Sequence, residues 1–414
     1  MRKTFLPFSP PLIGEEEIAE VVDTLRSDWI TTGPKVKRFE QEFAGAVNAS
    51  AALAVNSCTA ALHVALATLG IGPGDAVITT PMTFCSTVHV IEHVGARPIL
   101  VDVEPGTLNL DPNRVRETLA RLRNQSGNNA PRVKAIIPVH LYGHPCDMDA
   151  LLDIASEYQC AIIEDAAHAL PAEYKNQKIG FLGADSAVPV LTCFSFYATK
   201  NMTTAEGGML TGKPGLIEEA RIWSLHGMSR DAWQRYGRDG TWHYDVTRPG
   251  FKYNMTDIQA ALGLHQLRKL EAFHSRRKEI AARYNQAFRQ FGELETPTEH
   301  EWAGHAWHLY VLRVNPDRLT ISRNQFISEL LARNIGTSVH FIPVHLHSYY
   351  REQYGYAPED FPVAYAQYQR IISLPCCPRM HEQDVEDVID AVTQTVGEHT
   401  RLRRTKPAIA AAYS

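Results

Sequence analysis

Short apolar runs alternate with stretches of helical period along the first two thirds of the chain. Residues 76–79, 98–103, 134–139, 161–164, 191–197 and 209–211 read as strands, and residues 57–69, 85–93, 112–123 and 148–158 between them read as helices. That alternation predicts a parallel sheet with helices laid over it. From Thr256 to about Phe291 a long helical pattern follows, with Ile258, Ala261, Leu262, His265, Leu267 and Leu270 on one face. Beyond it, a strand near residues 308–314, a helix over 322–334 and a terminal helix over 382–398 predict a smaller α+β unit. The expected organisation is a large α/β domain over residues 1–255, then a bridging helix and small C-terminal domain over 256–414. Residues 124–131, rich in Asn, Gly and Ser, read as a surface loop, and the tail after Pro407 as a frayed end.

Composition adds bounds to this pattern. With 414 residues, 44% of them apolar and 21% charged, the chain can bury a large core. A formal net charge of -5 argues against a nucleic-acid or anionic-membrane surface, where Lys and Arg would be in excess. The short basic stretch from Arg401 to Arg404 reads as a solvated helix end. Seven cysteines lie scattered at 58, 85, 146, 160, 193, 376 and 377, without metal-ligand spacing or disulfide density. Reduced thiols in the cytoplasm and no metal site are the expectation. The N-terminus lacks the apolar stretch of a signal peptide, and no later run is long enough to span a membrane.

The candidate chemistry centres on Lys200, in the run C-F-S-F-Y-A-T-K over 193–200, and on Glu164-Asp165 at the end of an apolar strand. A lysine amine can form a Schiff base with an aldehyde cofactor, while a buried carboxylate keeps a pyridine nitrogen protonated so that the ring accepts electrons. Together they point to pyridoxal 5'-phosphate (PLP). An isolated lysine would be a surface residue and an isolated acidic pair a helix cap; here the aromatic neighbours Phe194, Phe196 and Tyr197 and the pair Gly207-Gly208, which permits a tight turn, favour the functional reading. Ser57 and the residues after it supply a capped helix start of the kind that binds a phosphate, with an ordinary cap as the plainer alternative.

These residues carry a resemblance. The motifs W-I-T-T-G-P over 29–34, E-D-A-A-H-A over 164–169, the Lys200 run, G-F-K-Y-N-M-T-D-I-Q-A-A-L-G over 250–263 and S-L-P over 373–375 make the chain similar to the DegT/DnrJ/EryC1/StrS sugar aminotransferases, over nearly its whole length. Within that family it looks closest to the enzymes that aminate a UDP-4-keto-pentose (4-amino-4-deoxy-L-arabinose), from the N-terminal run, the K-Y-N-M wording, H-A-W-H over 305–308 and V-H-F over 339–341. The resemblance implies an aspartate-aminotransferase-like fold (PLP fold type I), glutamate as amino donor and a UDP- or dTDP-linked 4-keto sugar as acceptor. It also implies roles. Lys200, Asp165 and His168 would be catalytic, His168 contacting the phenolic oxygen of the cofactor. Thr59, Ala60 and Ser195 would hold the phosphate, and Phe84 would stack on the ring. Cys58 departs from the family's usual Gly or Ala. Lys252 or Asn254 would reach the phosphate of a partner subunit in a homodimer with shared sites; the residue types are exchanged relative to many relatives, so which of the two does so stays open. Thr31 and His340 would face the substrate, and Arg230 lies in a nearby segment. Two rivals remain: a non-catalytic PLP-binding regulatory protein, and a PLP-dependent sugar dehydratase, against which retention of Lys200 weighs.

Overall fold

The computed structural model describes residues 2–124, 132–181, 186–228, 244–401 of the chain. The tail, Arg230, the basic stretch beyond Arg401 and all of the 124–131 segment except Asn124 lie outside these. In chain order the strands are β1 (Ala51–Val55), β2 (Asp75–Thr79), β3 (Arg97–Leu100), β4 (Arg132–Ile136), β5 (Ala161–Asp165), β6 (Glu173–Tyr174) and β7 (Gln177–Lys178). They continue with β8 (Val190–Ser195), β9 (Gly208–Gly212), β10 (Leu294–Glu295), β11 (Ala303–Gly304), β12 (Tyr310–Val314) and β13 (Ile371–Leu374). The main sheet has the order β1-β9-β8-β5-β4-β2-β3. Neighbours from β8 to β3 run parallel, and β9 runs antiparallel to both β8 and β1.

The parallel strands are mainly apolar between their ends, because helices cover both faces of the sheet. Ile163, Leu191 and Leu210 pack on one side with the helix Cys58–Thr68, and Ile162, Val190 and Met209 on the other. Strand β1 is alanine-rich, and alanine has a low β-propensity, so its period is not visible in the residues alone. Only its pairing with β9 makes it a strand. Five helices likewise went unread: Glu15–Arg26, Pro34–Ala46, Pro214–Ser224, Ser348–Tyr354 and Pro362–Tyr368.

The long pattern after Thr256 forms the helix Asp257–Phe288, opened by a capping box in which Thr256 and Gln259 exchange hydrogen bonds. Its buried face differs from the expected one. Ala261 and Leu270 are buried as expected, together with Ala260, Gly263, Leu264 and Gln266, while Ile258, Leu262, His265 and Leu267 are half-buried. The helix is enclosed from more than one side: Phe39 of the helix Pro34–Ala46 lies so close to Gly263 that a Cβ there would sit 2.6 Å from its ring, and Lys269 binds Glu16 and Glu17 of Glu15–Arg26. Further along, Ile280, Tyr284 and Phe288 enter a second core with the β10-β12-β13 sheet and the terminal helix Glu382–His399.

Candidate active site

The carboxyl ends of β5 and β8 converge with the start of the helix Cys58–Thr68, where open α/β sheets place their ligands. A cavity of about 480 Å³ lies there. Strand β5 ends on Asp165, and strand β8 on Ser195, from which a turn held by the Lys200 N–H on the Tyr197 carbonyl (2.9 Å) delivers Lys200. Asp165, His168, Ser195, Lys200, Thr59 and Phe84 all line this one cavity.

Asp165 is buried and accepts from the Thr87 hydroxyl (2.7 Å) and the Ala167 N–H (3.1 Å). Burial raises its carboxyl above the usual range, against the lowering effect of these two donors and of the Lys200 charge. Behind it, His140 and Glu164 form a fully buried pair at 3.0 Å, with Thr192 donating to Glu164 and the Cys146 N–H to His140 Nδ1. Lys200 keeps part of its side chain open to the cavity, and its amine has neither a hydrogen bond nor an ion pair among the described residues. Protein packed around its amine disfavours the ammonium and brings its pKa down to about 8; the nearby Cys58 and Asp165 only partly oppose that.

Three imidazoles border the amine. His168 Nδ1 accepts the Tyr142 N–H (3.2 Å), His308 Nδ1 meets Asn201 Oδ1 (3.1 Å), and His340 Nδ1 meets Ser373 Oγ (2.8 Å). Burial, then the Lys200 charge, holds His168 and His308 well below the ordinary imidazole range and brings His340 to about 4. All three are therefore neutral at pH 7. Phe84 is 57% exposed, its ring in tilted contact with Phe341, 5.9 Å between centroids.

At the helix start, Ser57 Oγ accepts the Ala60 N–H (3.1 Å), which leaves the N–H groups of Cys58 and Thr59 open. Ala60 does not line the cavity, whereas Ser57, Cys58 and Thr59 do. The pair Gly207-Gly208 is required for space and not for a turn, because neither has a left-handed φ. A Cβ on Gly208 would lie 2.6 Å from the Ser57 carbonyl. This contact presses β9 against the helix start.

Thr31, Lys252 and Asn254 do not line the cavity. They gather in a separate cluster: Asn254 Nδ2 donates to Thr32 Oγ1 (2.6 Å), Lys252 binds Asn254 Oδ1, and the Thr31 carbonyl accepts the Asp257 N–H (2.9 Å). Sequence reading missed Thr87, Asn201 and Tyr142. Thr87, three residues after Phe84, and Asn201, next to Lys200, carried local signals, whereas Tyr142 did not.

Comparison with known proteins agrees with this architecture. The model of the DegT/DnrJ/EryC1/StrS aminotransferase family matches residues 11–393. The spore coat polysaccharide biosynthesis protein SpsC of Bacillus subtilis (strain 168) is 51% identical over 397 residues, covering 95% of this chain and 98% of SpsC. Among solved structures, the PLP form of Spr1654 from Streptococcus pneumoniae is 35% identical with a TM-score of 0.84, covering 95% of this chain and 99% of its own. DesV of S. venezuelae is 32% identical with a TM-score of 0.82, covering 94% and 98%. With a match of that length and a sheet of that order, this chain belongs to the DegT/DnrJ/EryC1/StrS aminotransferase family, PLP-dependent enzymes of fold type I.

Proposed function

We propose that this protein transfers an amino group from glutamate to a keto-sugar nucleotide, a UDP- or dTDP-linked 4-keto sugar. The observation that carries the reading is Lys200: an amine with pKa about 8 and no partner among the described residues, in one cavity with Asp165. The name of SpsC, which places that protein in polysaccharide biosynthesis, supports a sugar acceptor. A 4-keto-pentose is the finer form of the proposal and rests on the N-terminal run and the wording of residues 252–255, 305–308 and 339–341.

The residues present fit PLP. When bound, this group supplies an aldehyde that condenses with amines and a ring that takes up an electron pair. Asp165, with two donors already on its carboxylate and no cation paired to it among the described residues, would hold a proton at the ring nitrogen. The open N–H groups of Cys58 and Thr59, with Ser195, would meet the phosphate at the positive end of the helix. Phe84 would cover one face of the ring. His168, its Nδ1 occupied by the Tyr142 N–H, carries its proton on Nε2 and would donate it to the phenolic oxygen. Lys200 would first hold the cofactor and then, as a neutral amine, take the proton from the substrate carbon and deliver it to C4' of the cofactor. His340 stands on the substrate side of this cavity and Thr31 on that of the partner's site, which Lys252 or Asn254 completes at the phosphate in a cytoplasmic homodimer. The division into residues 1–255 and 256–414 belongs to the same proposal.

Purified protein reduced with borohydride should carry the cofactor on Lys200, and with glutamate it should aminate at least one member of a panel of UDP- and dTDP-linked 4-keto sugars. Attachment to another lysine, or turnover of glutamate with no sugar nucleotide accepted, would count against the reading. Elimination of a hydroxyl in place of amination would favour the dehydratase.

A further inference from the structure

The cavity holds two imidazoles locked in opposite tautomers. Asn201 Nδ2 donates to the carbonyls of Leu170 (2.7 Å) and Ala306 (2.8 Å), which fixes the amide so that its oxygen faces His308 Nδ1 at 3.1 Å. An oxygen there can only accept, so neutral His308 carries its proton on Nδ1. His168 is the reverse, its Nδ1 accepting the Tyr142 N–H. The two rings stand 4.5 Å apart between centroids, and neither Nε2 has a partner among the described residues or is sealed from the cavity.

We propose that His308 is a specificity-determining residue whose unprotonated Nε2 accepts a hydroxyl O–H of the keto sugar, an inference that rests on the sugar-nucleotide reading above. A lone pair at that position repels carbonyl, carboxylate and phosphate oxygens, which are acceptors only. An ammonium group would meet the charge of Lys200 and of Arg277, a fully buried guanidinium that donates to the His308 carbonyl (3.3 Å). A neutral hydroxyl is the donor that suits the place. Lys200, His168, Arg277 and His340 surround His308 without a carboxylate among them, so it stays neutral and keeps its acceptor. A buried acceptor left without its donor is costly, which is how such a site rejects a ligand lacking the hydroxyl.

The test uses the pyridoxamine-phosphate form of the protein, which does not react with amines. Its equilibrium binding is measured for UDP-linked 4-amino sugars bearing hydroxyls beside the amine and for their deoxy counterparts, in wild type, His308→Gln and His308→Phe. Wild type should prefer a hydroxyl-bearing ligand by about tenfold or more, His308→Gln should retain part of that preference through its amide oxygen, and His308→Phe should lose it. Imidazole nitrogen NMR of the ligand-free protein should show His308 protonated at Nδ1 and His168 at Nε2. An undiminished preference in a folded His308→Phe, or a proton on His308 Nε2, overturns this inference alone. Failure of wild type to bind any of these sugar nucleotides overturns it together with the sugar-nucleotide reading.

Discussion

Lys200 shows how a single side chain can be poised by what is withheld from it. No carboxylate pairs with it and no acceptor meets its amine among the described residues, so burial outweighs the opposing charges of Cys58 and Asp165 and brings its pKa to about 8 against 10.5 for an ordinary lysine. The consequence for stability has a definite sign. Below about pH 8 the amine is charged in both folded and unfolded chains, and the penalty of burying that charge is present in full. Between about 8 and 10.5 the unfolded chain binds the extra proton, so stability from this group rises with pH. In the cofactor-free protein, the loss of denaturant midpoint between pH 7.5 and 10 should therefore be larger in Lys200→Met than in wild type. Equal changes in both proteins would refute the depressed pKa. The rate at which cofactor-free wild type takes up PLP covalently should climb through about pH 8 for the same reason.

At the scale of elements, the end of the cavity proposed for the phosphate depends on how closely β9 packs against the start of the helix Cys58–Thr68. Gly208 makes the contact, and an added methyl would press on the Ser57 carbonyl at 2.6 Å and the Cys58 nitrogen at 2.7 Å, neither of which can rotate away. Gly208→Ala should cost about 1–3 kcal/mol of stability, the range of an overpacked core, and should lower PLP retention on dialysis. Gly215→Ala is the control. That glycine lies in the helix Pro214–Ser224 with nothing within 4 Å of its would-be methyl, so it should keep the cofactor and lose no stability. A Gly208→Ala protein that melts and retains PLP like wild type would show that the helix start is not held by this contact.

For the whole molecule, the separation of Thr31, Lys252 and Asn254 from the cavity of their own subunit has a simple reading. Tied together by the Asn254-to-Thr32 hydrogen bond and the Lys252 contact, they form the patch that a second copy would use under the proposed shared site, and one patch that both gave and received would make a C2 dimer. Mixing inactive Lys200→Ala protein with an inactive variant altered at both Lys252 and Asn254 should restore activity, because hybrid dimers concentrate both lesions in one site and leave the other intact. About a quarter of wild-type activity is the expected ceiling for equal mixing, since half the dimers are hybrids with one working site. No recovery after verified subunit exchange would exclude the shared site.

Local chemistry could be read from the residues alone. Asp165 and His168 sit three apart after an apolar strand, Lys200 follows another, and Ser57 caps a helix; each is a short-range pattern, and the cavity brings all four together. The parallel strands β2 to β5 and the long helix after Thr256 were legible for the same reason, since their periods lie within one segment. The rest depended on contacts between distant segments. Strand β1 needs β9 to be a strand, and the face of Asp257–Phe288 is chosen by the helices that enclose it. The Gly207-Gly208 pair looked like a turn, yet Gly208 serves a close approach to the start of the helix Cys58–Thr68, far earlier in the chain. Asn201 and Tyr142 show the same limit most sharply. The proton positions on His308 and His168 are set by an amide and a backbone N–H brought from far along the chain, so residue types determined which imidazoles were available, and tertiary structure alone decided which would give a hydrogen bond and which would take one.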